Sequence, residues 1–238
     1  MRVSTALAIC LICRAAAADG ASEWLARART AVQELQGYIT GPAAPPASDV
    51  TDALVEALAA THKHVAAAQG QRDPAGDAAA REIHQALLQL AYAKATYGNL
   101  TELEEELPVG VRLGLVGFEN AQRCLSEASF AGHGLKVAIK APVGAGGTAT
   151  VEVNLANAGR RRLKAPRVTL AGPEGWTCQP QGKWVFSELA PGDSHTVVFA
   201  VKPEPGGAEA AGRVTARISY FVYAGRAVVE REQEVRVR

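Results

Sequence analysis

A two-domain α+β chain is predicted: an antiparallel bundle of about four helices, followed by an antiparallel β-sandwich. Three observations predict it. Apolar residues recur at three- and four-residue spacing up to about residue 131. From Leu135 onward they alternate every second residue. Between the two, composition shifts from Ala, Leu, Gln and Glu to Val, Gly, Arg and Thr. The 238 residues are enough for two modest cores, and 48% hydrophobic with 21% charged residues excludes a disordered or collagen-like chain. Lys plus Arg is 25 and Asp plus Glu is 24, so no global charge points to nucleic acid.

Residues 1–18 read as a secretory signal. Met1-Arg2 gives a positive start, Val3 to Cys13 is an uncharged, mostly apolar stretch, and Ala16-Ala17-Ala18 is a small-residue cleavage motif before Asp19. Eleven residues rise about 16 Å as helix, roughly half a bilayer core, which argues against an anchor. The expected location is the periplasm or the cell exterior, with no membrane span in the mature chain.

Residues 19–131 form the predicted helical domain. Trp24, Ala28, Ala31, Leu35 and Ile39 make one apolar stripe from about Ser22, and Gly41 with the prolines at 42, 45 and 46 ends that helix. Ser48 or Asp49 caps a second helix carrying Leu54, Leu58, Thr61 and Val65 on one face. Gly70 marks its end, and Asp73-Pro74-Ala75-Gly76 is a turn. A third helix is expected from about Asp77 to Tyr97, with Ile83, Leu87, Leu90 and Ala91 inward and Gly98-Asn99 closing it. Thr101 and Glu104 form a capping box for a fourth, which Pro108 kinks or restarts and which runs to about Ala131. Gly110, Gly114 and Gly117 lie nearly on one side of it, where a neighbouring backbone approaches closely.

Residues 132–238 form the predicted strand domain. Leu135, Val137 and Ile139 alternate with polar or small residues, as do Val151, Val153 and Leu155. Val197 to Val201, Val214 to Tyr220 and Val229 to Val237 follow, with Gly-, Pro- and Asn-rich turns between. Roughly seven short strands in about 105 residues is the pattern of an immunoglobulin-like sandwich.

The turn residues add a resemblance. Gly147 to Val153 leads into Asn157-Ala158-Gly159, then come Pro173-Glu174-Gly175-Trp176, Leu189-Ala190-Pro191-Gly192-Asp193-Ser194 and Val201-Lys202-Pro203. In that order they resemble the NEW3 domain, an Ig-like module associated with bacterial galactosidases, over about residues 135–225. The resemblance implies an extracellular accessory module, often near carbohydrate-active domains and without catalytic residues of its own. It also implies that Trp176 packs within the sandwich.

Motifs that carry catalysis are absent from residues 19–238: there is no HExxH, Cys-x-x-Cys, Walker loop or Gly-x-Ser-x-Gly. The chain is therefore read as non-enzymatic and without a cofactor. Glu102, Glu104, Glu105 and Glu106 complement a helix dipole more simply than they form a glycosidase pair. His62 and His84 are equidistant from the turn near residue 73, so one level of a helical hairpin brings them together as a possible metal or pH-sensitive pair. The alternative is two solvated side chains. After signal removal Cys124 and Cys178 remain. In an oxidising compartment they form one disulfide, worth about 4 kcal/mol over a loop of about 55 residues, or else stay as two buried thiols.

Arg160, Arg161, Arg162, Lys164 and Arg167 crowd one loop, a contact for phosphate, sulfate or an acidic glycan unless it is merely a solvated turn. Trp184 is the aromatic residue freest to join them by stacking on a sugar. Residues 19–131 carry 8 basic and 15 acidic side chains, and residues 132–238 carry 15 basic and 9 acidic. Nets of −7 and +6 favour docking of the two domains on each other or two different partners. The expected protein is thus an exported, non-enzymatic binding or scaffolding protein contacting envelope proteins or glycans. The alternative is an accessory subunit of a secreted carbohydrate-active hydrolase with a site in the helical half.

Overall fold

The computed structural model describes residues 3–41, 49–101, 109–142, 144, 147–203, 210–222 and 225–237. The chain divides into two compact units. One is Met1–Gly132 with Val222–Ala227, and the other is His133–Phe221 with Val228–Arg238.

Four helices build the first: α1 (Val3–Thr40), α2 (Asp49–Gln69), α3 (Asp77–Thr101) and α4 (Val109–Gly132). Helix α1 packs along α4 and α2 along α3, with α1–α2 and α3–α4 closing the bundle. A Cβ on Gly20 would lie 3.6 Å from Ala131, and one on Gly117 would lie 3.1 Å from Leu35, so α1 and α4 run antiparallel. The buried stripe of α1 is Ala21, Leu25, Ala28, Val32, Leu35 and Ile39, with Trp24 at its edge rather than in it. In α2 the four predicted residues Leu54, Leu58, Thr61 and Val65 are all buried.

The α2–α3 turn forms as its residues dictate. Gly76 N donates to Asp73 O at 2.8 Å, Asp73 Oδ1 accepts from Ala75 N at 3.2 Å, and Ala80 N reaches back to Gly76 O. Helix α3 does not stop at Gly98 but continues to Thr101. A Cβ at Gly98 would meet nothing within 4 Å, so this glycine is a tolerated interior residue and not a cap. Ala91 is exposed, while Ile83, Leu87, Leu90 and Tyr97 are buried. The Tyr97 ring lies 5.4 Å from that of Phe118. Gly114 receives that tyrosine: an added Cβ would overlap Tyr97 Oη and lie 2.7 Å from Cζ. The glycine face of α4 therefore admits a side chain at Gly114 and approaches the α1 backbone at Gly117. Glu102 to Glu106 and Pro108 fall outside the described residues.

Eight strands build the second: β1 (Leu135–Lys140), β2 (Ala149–Asn157), β3 (Leu163–Ala171), β4 (Thr177–Pro180), β5 (Glu188–Leu189), β6 (Ser194–Lys202), β7 (Ala210–Val222) and β8 (Gly225–Val237). They form two four-stranded sheets of order β1-β2-β6-β4 and β5-β3-β7-β8. Val151 and Val153 of β2 stand opposite Phe199 and Val197 of β6, all four buried. Val168, Leu170, Val214, Ala216, Ile218 and Tyr220 bury the inner face of the other sheet. This is the predicted α+β order, helices first and a sandwich after.

Strand β3 breaks its own alternation. Lys164 pairs with Phe221 but Arg167 with Ser219, so one extra residue bulges out where Ala165 takes φ 44° ahead of Pro166. The bulge turns the β3 edge toward residues 184–187. Ala165 N donates to Ser187 O, Phe186 N to Pro166 O and Val168 N to Trp184 O, at 2.9, 3.0 and 3.0 Å. Among the described residues no helix is long and apolar enough to cross a membrane.

Candidate functional site

Asn157 anchors the arginine turn. It is 1% exposed, and its amide is fully used: Oδ1 accepts from Gly159 N at 3.1 Å, while Nδ2 donates to Arg161 O at 2.6 Å and Leu189 O at 3.0 Å. Its backbone N donates to Asp193 O and its carbonyl accepts from Gly192 N. Residues 157–161 and 189–193 thus meet at one residue, and the turn carrying Arg160 to Arg162 is fixed rather than loose. Gly159 has to be glycine, because a Cβ there would run into His133 O.

Only Arg160, Arg161 and Arg162 lie in that turn; Lys164 and Arg167 belong to β3. The expectation of a single basic loop is corrected to a turn and the strand that follows it. On the strand pair, Lys164 stands opposite Glu188. Glu188 accepts from Arg162 Nη1 at 2.5 Å and from Lys164 Nζ at 3.2 Å. The Lys164 hydrogen bond, reinforced by the charges of Arg162 and Lys164, holds its carboxyl below the usual range. Further along β3, the Arg167 guanidinium lies 5.0 Å from the Trp184 ring centre. Lys183 Nζ is 5.3 Å from the Phe186 ring, and Phe186 stacks on His195 with centroids 4.1 Å apart. The result is a set of basic and aromatic side chains along β3 and residues 183–188, with one carboxylate among them.

Trp176 is half-buried rather than part of the buried core, and it lies against Gly172 and Gly212. Added Cβ atoms on Gly172 and Gly212 would lie 2.9 Å from it. Trp184 is half-buried beneath Arg167. Sequence reasoning missed Glu188, which enters only through the two-residue pairing of β5 with β3.

Cys124 and Cys178 are both free thiols. Cys124 is buried in α4, its Sγ facing Asn120 Oδ1 at 4.0 Å, and Cys178 is half-buried on β4 near Gly172. Each lies in a different compact unit, and burial pushes both thiols up from their ordinary value.

The histidines also divide. His62 Nε2 lies 3.4 Å from Gln33 Nε2 of α1, and His84 is buried. It is His64 that joins α2 to α3, its Nδ1 2.8 Å from Glu82 Oε2. Among the described residues no three His, Cys, Asp or Glu side chains are grouped to hold a metal ion.

Solved structures similar to part of this chain include native alpha-2-macroglobulin from E. coli, at 20% identity and TM-score 0.35. That match covers 44% of this chain and 6% of the other. The GAE domain of GGA2p from Saccharomyces cerevisiae matches at 12% identity and TM-score 0.35, covering 42% of this chain and 88% of that one. A FixG-related protein from Vibrio parahaemolyticus matches at 9% identity and TM-score 0.32, covering 42% and 95%. No curated protein matches the chain. Residues 143–221 match the family model described as the NPCBM-associated, NEW3 domain of alpha-galactosidase, the family that the turn motifs of the strand half resemble.

Proposed function

We propose that the protein is an exported, non-enzymatic binding module whose strand half contacts an acidic glycan through Arg160, Arg161, Arg162, Lys164 and Trp184. One observation carries this reading. Asn157 holds the arginine turn through Gly159 N and Arg161 O and ties it to Leu189, Gly192 and Asp193, and β3 continues it with Lys164 and with Arg167 over Trp184. Fixed cations beside an aromatic ring suit sulfates or carboxylates on a sugar chain, because little ordering cost remains on binding. The excess of positive charge on residues 132–238 supports the same sign of ligand. Export is supported by the leader pattern of residues 1–18.

The matched family's description favours a second reading, in which the chain serves as an accessory subunit of a secreted carbohydrate-active hydrolase. A glycan array with the full chain tests the first. Binding is expected to concentrate on sulfated or uronic-acid glycans and to fall at least tenfold in Arg160→Ala/Arg161→Ala/Arg162→Ala. An array with no retained glycan overturns it.

A further inference from the structure

Glu188 occupies the place a ligand anion would take. Its two carboxylate oxygens accept from two different cations, Arg162 Nη1 at 2.5 Å and Lys164 Nζ at 3.2 Å. Those cations flank the buried Leu163, one ending the arginine turn and the other opening β3. Their convergence on a planar pair of oxygens matches two oxygens of a sulfate or a carboxylate. All three side chains reach solvent, at 55%, 64% and 35% exposure for Arg162, Lys164 and Glu188. Exposed ion pairs are weak and exchange readily. Three residues further along β3, no more than about 10 Å away at strand rise, Arg167 is held by the Trp184 ring.

We propose that Glu188 is a built-in competitor that the anionic groups of an acidic polysaccharide displace from Arg162 and Lys164. This rests on the acidic-glycan reading above and adds a regulator to that site. The competitor offsets one of the two positive charges when no ligand is present. It also sets a threshold: one isolated anion gains little by exchanging with Glu188, whereas a polymer that reaches Arg167 as well gains a further contact for the same displacement.

The test is isothermal titration of the full chain with dextran sulfate, polygalacturonate and neutral dextran, in wild type and Glu188→Gln. The glutamine keeps the shape and removes the charge, so dextran sulfate binding is expected to tighten about 2- to 5-fold. In an Arg162→Ala/Lys164→Ala background the same substitution is expected to change affinity less than twofold, because the competition is gone. Wild type that binds dextran sulfate, with Glu188→Gln equal or weaker, overturns the competitor and leaves the glycan reading standing. Wild type and Glu188→Gln both silent toward all three polymers, or neutral dextran bound as well as dextran sulfate, overturns the glycan reading itself.

Discussion

The side chain of Asn157, at the end of β2, donates to the backbone carbonyl of Leu189 on β5 at 3.0 Å, joining the two sheets of the sandwich at one buried amide. The same NH2 group holds Arg161 O, so sheet packing and presentation of the arginine turn depend on one residue. Asn157→Ala leaves two carbonyls without this donor in a site only 1% exposed, and an expected loss of about 3 kcal/mol follows. Asn157→Asp is expected to be no better, since an ionised carboxylate cannot donate to either carbonyl. Urea unfolding monitored by tryptophan fluorescence measures both.

Two glycines in the bundle are expected to respond in opposite directions. Gly114→Ala drives a Cβ into the Tyr97 ring, 2.7 Å from Cζ, in a packed α3–α4 contact, at an expected cost of about 2 kcal/mol. Gly98→Ala adds a methyl where nothing stands within 4 Å, inside α3, and is expected to stabilise by about 0.5–1 kcal/mol. Thermal unfolding of the two variants beside wild type gives both signs in one experiment.

With Cys124 and Cys178 both free, peptide mapping without reductant is expected to recover each alkylated and none cross-linked. Half-buried Cys178 is expected to react with iodoacetamide faster than buried Cys124. Both should lag an unstructured thiol at pH 8, because burial raises their pKa and lowers the thiolate fraction.

Glu188 titrates below its ordinary value of 4.5, chiefly through the Lys164 hydrogen bond. A carboxyl depressed on folding contributes stability above its unfolded pKa and loses that contribution as pH falls through the lowered folded value. An NMR titration of the Glu188 side-chain carbonyl is expected to show a midpoint under 4.5. Arg162→Ala/Lys164→Ala is expected to return it upward.

Most of the fold was legible because burial is periodic. Leu54, Leu58, Thr61 and Val65 in α2, and Val151, Val153 and Leu155 in β2, are buried as their spacing predicts. Strand β3 was not legible: the bulge at Ala165-Pro166 resets its alternation, so Leu163, Pro166, Val168 and Leu170 turn inward without a period-two run. In α1 the predicted Ala28, Ala31, Leu35 and Ile39 are buried, and only bulky Trp24 lies at the edge of the stripe, where Leu25 takes the buried place. At the site, the three arginines announce themselves by charge. Glu188 does not, since it reaches Lys164 across 24 residues through a two-residue strand. The cysteine pair is not legible for a related reason: redox chemistry allows a bridge, but spacing along the chain does not say whether two thiols approach each other.

Salt-dependent affinity for dextran sulfate tests the proposed acidic-glycan contact most directly, measured with wild type and with Arg160→Ala/Arg161→Ala/Arg162→Ala. Wild-type affinity is expected to fall steeply from 50 to 200 mM salt, and the triple variant to bind at least tenfold more weakly with a shallower salt slope. Equal affinity and equal slope in the two proteins would contradict the account.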